Sequence, residues 1–152
     1  MTSADLLLGA MVLGVAIFLA RGSHPLLGLL LVVSAVAVSA LLFLPTRELG
    51  AWIGMGRVHR FHALAGSTPL DPAEWIHLLA FAWLGLLLWL GRADLRNWKG
   101  WALLVALGIG AELAQTLTQD REPRLADVVL NLAGGVAGVL LAMLVRRIVR
   151  WL

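Results

Sequence analysis

Cysteine is missing from all 152 residues. No disulfide framework, thiolate nucleophile or thiolate metal site is therefore open to this chain, and its redox compartment leaves no mark. Charge is scarce too, at 14% of residues, well short of what a soluble domain needs to clothe its surface. No serine occurs between Glu74 and Val145, so that half of the chain offers no serine nucleophile. What basic excess there is, with a sequence pI near 11.0, comes from arginines at the ends of apolar segments. It forms no basic face, and a nucleic-acid partner has no support.

What fills the chain is apolar sequence: 61% of residues and a mean hydropathy of +0.90. This is the signature of an integral membrane protein, and 152 residues suffice for one small helical bundle. Five runs stand out. The first, Leu6 to Ala20, stops at Arg21, Gly22 and His24-Pro25. It is short, but the leading MTSAD has an acid and no base, so it reads as a retained span and not as a signal peptide. The second, Leu26 to Leu44, ends at Pro45. Run three, Glu74 to Gly91, is entered through Asp71-Pro72, a favourable helix start for proline and acid alike. Run four is Trp101 to Thr118. Run five, Asp127 to Val145, is closed by Arg146, Arg147 and Arg150.

The expected fold is all-α: a polytopic transmembrane bundle of about five spanning helices. Residues 1–45 form an N-terminal pair, 46–73 a loop or interfacial segment, and 74–152 the core. The middle segment mixes Trp52, Ile53 and Met55 with Arg57, His59, Arg60 and His62, which suits a helix lying in the interface or a loop tethered by Trp52. His59 and His62 lack a third partner as metal ligands. Arg21, Arg92, Arg96, Lys99, Arg146, Arg147 and Arg150 fall on one side of such a bundle. Arg47, Arg57, Arg60, Arg121 and Arg124 fall on the other. The positive-inside rule then leans toward an extracytoplasmic N-terminus and a cytoplasmic C-terminus.

Counting spans brings the polar residues together whichever way the bundle faces. Run three starts where run four ends and run five starts, so His77, Glu112, Gln115, Arg121, Asp127 and Asn131 converge near one membrane face. Glu112 and Gln115 are three apart on one helix face, and Asp127 and Asn131 are four apart. Below them Gly134, Gly138 and Ala142 form a small-residue stripe where a neighbouring backbone can approach.

These residues, taken in order, resemble a known pattern. His77 with Phe81 four on, Glu112 with Gln115, Arg121 six before Asp127, and Asn131 followed by Gly134 and Gly138 are similar to the VanZ-like family of small bacterial membrane proteins. The resemblance covers roughly Glu74 to Val145. It implies a bacterial inner-membrane location, a cell-envelope role and a shared site, and the family's name comes from a protein linked to low-level teicoplanin resistance. It supplies no reaction. The family commonly has Asp-Lys a few residues before the histidine, where this chain has Ala73 and Glu74.

Each residue keeps a plainer reading. Glu112 is a functional carboxylate or an ion-paired strut held by Arg121 or His77; an unpaired carboxylate at depth would cost several kcal/mol. Asp127 is a site residue or a helix N-cap. Gln115 and Asn131 are ligand contacts or interhelical hydrogen bonds. His77 is an acid–base group or a headgroup anchor, and Arg121 a counter-ion or a phosphate contact. Phe81, Gly134 and Gly138 belong to helix packing.

Three functions follow. In the first, the cluster binds a lipid-linked envelope component or amphiphile and modifies it if a reaction occurs, with His77, Glu112 and Asp127 as catalytic groups and Gln115, Arg121 and Asn131 as ligand contacts. In the second, the cluster is a polar lock in a non-enzymatic protein. A proton-coupled transporter is third, disfavoured because the ionisable residues gather at one face. No cofactor is implied. Metal chemistry at His77, Glu112 and Asp127 is possible in kind, but no short ligand spacing supports it, and no metal is expected.

Overall fold

The computed structural model describes residues 3–43, 46–116 and 124–149. All regular structure among them is helical: α1 (Ser3–Ala20), α2 (Pro25–Phe43), α3 (Thr46–Ile53), α4 (Met55–Ala65), α5 (Pro72–Gly91), α6 (Trp98–Gln115) and α7 (Leu125–Val149), with a 3-10 turn at Ala93–Leu95. Helices α5 and α7 are long and apolar enough to cross a membrane, and Gly9–Ala20 and Pro25–Leu41 are shorter apolar stretches. The fourth run, α6, is helical as expected, but Lys99 and Glu112 interrupt its apolar character. The segment 46–73 is not an irregular loop; it folds largely into the two short helices α3 and α4, with Trp52 exposed.

Local signals explain where the helices begin and end. Gly22 takes φ 78° after α1, a left-handed turn that favours glycine, and Pro25 restarts the chain as the first residue of α2. Asp71 caps α5 through a reciprocal box: its Oδ1 accepts the Glu74 N–H at 2.9 Å, while Glu74 Oε2 accepts the Asp71 N–H at 2.9 Å. The Trp75 indole N–H donates to Thr68 Oγ1 and ties this helix start to the end of α4. At the other end, Arg96 donates to the terminal carbonyls of α5, Trp89 and Leu90. Arg92 reaches back to those of α1, Phe18 and Leu19.

Arg92 is a correction to the charge count. Sequence reading counted it with Arg96 and Lys99 among the cations on one side of the bundle. It is buried, and its guanidinium also grips Asp94 at 2.7–2.9 Å. Four carbonyls at each helix end lack intrahelical partners, and a guanidinium with five N–H groups can satisfy several at once.

Helices α1, α5 and α7 run in one direction and α2 and α6 in the other: Leu78 and Ala82 meet Gly134 and Gly138, Trp83 and Gly91 meet Ser34 and Leu27, Gly108 and Glu112 meet Asn131 and Arg124, and Arg92 at the end of α5 meets the end of α1. The tightest contact is α5 on α7. A methyl group added at Gly134 would run into the Leu78 carbonyl, one at Gly138 into the Ala82 carbonyl, and one at Gly85 into the Gly135 carbonyl. Backbone lies against backbone, so the expected glycine stripe has α5 as its partner. In lipid, apolar burial contributes little to helix association, and such close approach carries the packing instead. A cluster of Leu19, Leu31, Leu87, Leu88, Leu104 and Val139 fills the bundle toward the Arg92 end. The opposite end of α5, α6 and α7 is where the buried polar side chains gather.

Candidate functional site

Three helix ends build the site. His77 lies in the second turn of α5 and is 1% exposed; Asn131, in the second turn of α7, is 0% exposed. Glu112 and Gln115 occupy the last turn of α6, and Asp127 the first turn of α7, all three buried. Close packing at Gly134 and Gly138 fixes α7 on α5, which sets His77 opposite Asn131. Gly108 lets α6 approach: a methyl there would sit 3.4 Å from the Asn131 Cβ.

The hydrogen bonds assign the imidazole tautomer. Asn131 Nδ2 donates to the Gly108 carbonyl at 3.2 Å and to Glu112 Oε1 at 3.4 Å. Both are acceptors only, so the amide oxygen faces the other way, 2.9 Å from His77 Nδ1. That oxygen can only accept, so Nδ1 carries the proton. Nε2 faces Gln115 Nε2 at 3.4 Å and Asp127 Oδ2 at 3.9 Å. Glu112 Oε1 lies 3.4 Å from the Nδ1 side of the ring. Its other oxygen accepts the backbone N–H of Arg124 at 3.3 Å, at the start of α7.

Among the described residues, no Arg or Lys side chain pairs with Glu112 or Asp127. His77 Nε2 or Nδ1 and one oxygen each of Glu112 and Asp127 lie within 4.8 Å of one another. Two carboxylates at that distance repel by about 3 kcal/mol at an effective dielectric near ~20. The amino end of α7 offers partial compensation, since helix N-termini favour anions by roughly 0.3–1 kcal/mol. A shared proton, a protonated imidazole or a bound cation would supply the remainder. The set can therefore hold and release a proton, accept hydrogen bonds from a ligand, or ligate a cation.

Sequence reasoning finds these residues with one gap and several adjustments. His77, Glu112, Gln115, Asp127 and Asn131 are brought together; Arg121 lies outside the described residues. Phe81 is buried one turn along α5 from His77. Asp127 is not the N-cap of α7: it sits within the first helical turn, which begins at Leu125, and its side chain turns toward His77. Glu74 is consumed by the capping box of α5. His59 and His62 are exposed on α4. Two contributors are backbone groups, the Gly108 carbonyl and the Arg124 amide, and a backbone group leaves no side-chain signal to find.

Beside the cluster lies an apolar crevice of about 280 Å³ walled by α1, α2, α5 and α6. Phe81 and Ala114 line its near end, each a turn or less from His77 and Gln115, while Leu19 and Leu87 line its far end. Its only hydroxyl-bearing lining residues are Ser34 and Ser39. Against known proteins, the sequence model of the VanZ/LLP1 family matches residues 6–146. No curated protein matches the chain, and no solved structure does.

Proposed function

The chain belongs to the VanZ/LLP1 family of membrane proteins, and from that premise we propose that it binds an amphiphile of the bacterial cell envelope, with the polar headgroup at the His77 cluster and an acyl or isoprenoid tail in the neighbouring crevice. The observation that carries this reading is the adjacency of the two. Phe81 and Ala114, a turn from His77 on α5 and next to Gln115 on α6, line a space with almost purely apolar walls, so buried polar groups and an apolar crevice are neighbours along the same two helices. A ligand with both characters matches it; a small polar solute or a plain hydrocarbon matches half of it. Lipid-linked envelope precursors and lipidated glycopeptides such as teicoplanin are of this chemical class.

In the membrane, five helices cross: α1, α2, α5, α6 and α7, with α3 and α4 lying in the outer interface. Their alternating directions support this, as does the return of α4 to the same end of the bundle that α2 leaves. The cluster then faces the extracytoplasmic side of the cytoplasmic membrane, with the N-terminus outside and the C-terminus inside. A reaction at this site would draw on His77 Nε2 with Asp127 for proton transfer and on Glu112 to hold charge, with Gln115 and Asn131 as ligand contacts.

The test is to purify the chain in mild detergent and identify co-purifying lipids by mass spectrometry, comparing wild type with His77→Ala and with Gly110→Leu, which crowds the crevice. Selective retention of one envelope lipid class, altered by the first variant and reduced by the second, is expected. Identical unselective lipid profiles for all three would sink the proposal. One observation favours a purely structural lock: among the described residues, every buried side-chain polar atom of the cluster has a partner. On that reading His77→Ala and Asp127→Asn deplete the protein from the membrane; on ours they leave it folded and without its ligand.

A further inference from the structure

We propose that His77, Glu112 and Asp127 form a binding site for one divalent transition-metal ion of the zinc type. The inference rests on reading the cluster as a ligand site and adds what occupies it. One ring nitrogen and one oxygen from each carboxylate lie within 4.8 Å of one another, and all three residues are at least nine-tenths buried. Sequence separations of 35 and 15 residues conceal this, which is why no local ligand spacing announces it.

Three independent features point to a cation and not merely to acidity. First, two carboxylates share a buried space with one imidazole, and a dication would offset their charge where no described Arg or Lys side chain reaches them. Second, the imidazole is held as a metal ligand requires. Histidines that bind metals donate their other N–H to a carbonyl or carboxylate, which fixes tautomer and ring orientation. Here Nδ1–H donates to Asn131 Oδ1, while the amide nitrogen of Asn131 donates to the Gly108 carbonyl, and Nε2 is left on the Asp127 side. Third, the donor set selects the ion. Calcium takes six to eight oxygens and magnesium prefers oxygen with retained water, whereas one imidazole with two carboxylates suits zinc and its neighbours. Three protein ligands would leave a coordination position for water or for the phosphate of a bound headgroup.

The untagged chain, purified in detergent and stripped with chelator, is titrated with Zn²⁺ and with Co²⁺; bound metal is measured by elemental mass spectrometry and Co²⁺ by visible absorption. One ion per chain is expected, with Co²⁺ bands of a nitrogen–oxygen site and a melting temperature that rises with Zn²⁺ and falls back with chelator. Asp127→Asn should weaken uptake at least tenfold, and Asn131→Ala by about 10–100-fold, the usual cost of losing an outer-shell partner. The double variant His59→Ala/His62→Ala should keep the ion. Folded wild type that binds no stoichiometric metal overturns the inference, with no variant needed. So does an ion lost with His59 and His62 but retained by His77→Ala. Metal-free protein that still selects one lipid class would remove the ion and leave the amphiphile reading standing; metal-loaded protein with no lipid preference would do the reverse.

Discussion

Asn131 Oδ1 stands 2.9 Å from His77 Nδ1, across 54 positions of sequence, and its amide nitrogen reaches both the Gly108 carbonyl and Glu112. One neutral side chain thereby joins α5, α6 and α7 and decides which imidazole nitrogen bears the proton. Asn131→Ala should cost about 1–3 kcal/mol, because it removes the buried hydrogen bonds to His77 Nδ1, the Gly108 carbonyl and Glu112 Oε1. Thermal unfolding in detergent measures it. A variant as stable as wild type would mean that water replaces the amide and that the tautomer is not held by it.

The glycines of α7 should divide sharply. Alanine at Gly134 or Gly138 drives a methyl into the α5 backbone, which cannot rotate away as a side chain can, and should cost at least about 2 kcal/mol. Gly135→Ala places its methyl 3.6 Å from Leu104 Cδ2, ordinary contact, and should stay within about 1 kcal/mol of wild type. Melting temperatures of the three variants, compared side by side, test the assignment. Equal effects at Gly134 and Gly135 would contradict the backbone-on-backbone packing.

Asp71→Ala removes the cap of α5 and should destabilise by about 1 kcal/mol, while Glu74→Gln keeps the reciprocal box and should be nearly silent. If Glu74→Gln instead impairs ligand retention with stability intact, that position serves the site and not the helix end.

The Arg92 guanidinium, hydrogen-bonded to Asp94, holds the Asp94 carboxyl below its ordinary value of 3.8. A lowered carboxylate contributes stability that is fully present above the ordinary value and is lost as pH falls through the lowered one. Unfolding of wild type should therefore gain an acid sensitivity below about pH 4 that Asp94→Asn lacks. The effect will be small, because the Asp94 side chain is 59% exposed and solvent screens the pair. Arg92→Met should cost more, about 2–4 kcal/mol, since it also strips donors from the end of α1.

The cysteine-free chain makes topology directly measurable. With cysteines placed singly at exposed Ser67 and Asn97, a membrane-impermeant thiol reagent added to intact cells should label Ser67→Cys and spare Asn97→Cys. The opposite pattern would invert the orientation while leaving the convergence of the three helix ends unchanged.

Much of this was legible in the sequence because its signals are local or simply additive. Apolar runs ending at Gly22, Pro45 and Arg92 marked helices, and counting them placed His77, Glu112 and Asp127 at one end. The identity of the surface that receives Gly134 and Gly138 was not legible, because α5 presents only carbonyls there and carbonyls carry no residue type. Nor was the role of Arg92, since a guanidinium that caps a neighbouring helix looks in sequence like any basic residue at the end of a run. The triad of His77, Glu112 and Asp127 was legible as a set, but its closeness was not, because its members reach one point only after three helices have packed. For Arg121 the sequence remains the source, as it lies outside the described residues.

Because α5 and α7 lie parallel and directly packed, with α6 antiparallel to both and made between them in sequence, the order of synthesis bears on the site. His77 leaves the ribosome first and Glu112 next, and neither meets Asn131 or Asp127 until α7 follows. The half-built bundle thus holds an imidazole and a carboxylate whose final partners are still being translated. Arrival of α7 satisfies both at once and seals the glycine contact in the same step. A chain that stops before Leu125 would leave His77 and Glu112 without the partners that Asn131 and Asp127 supply.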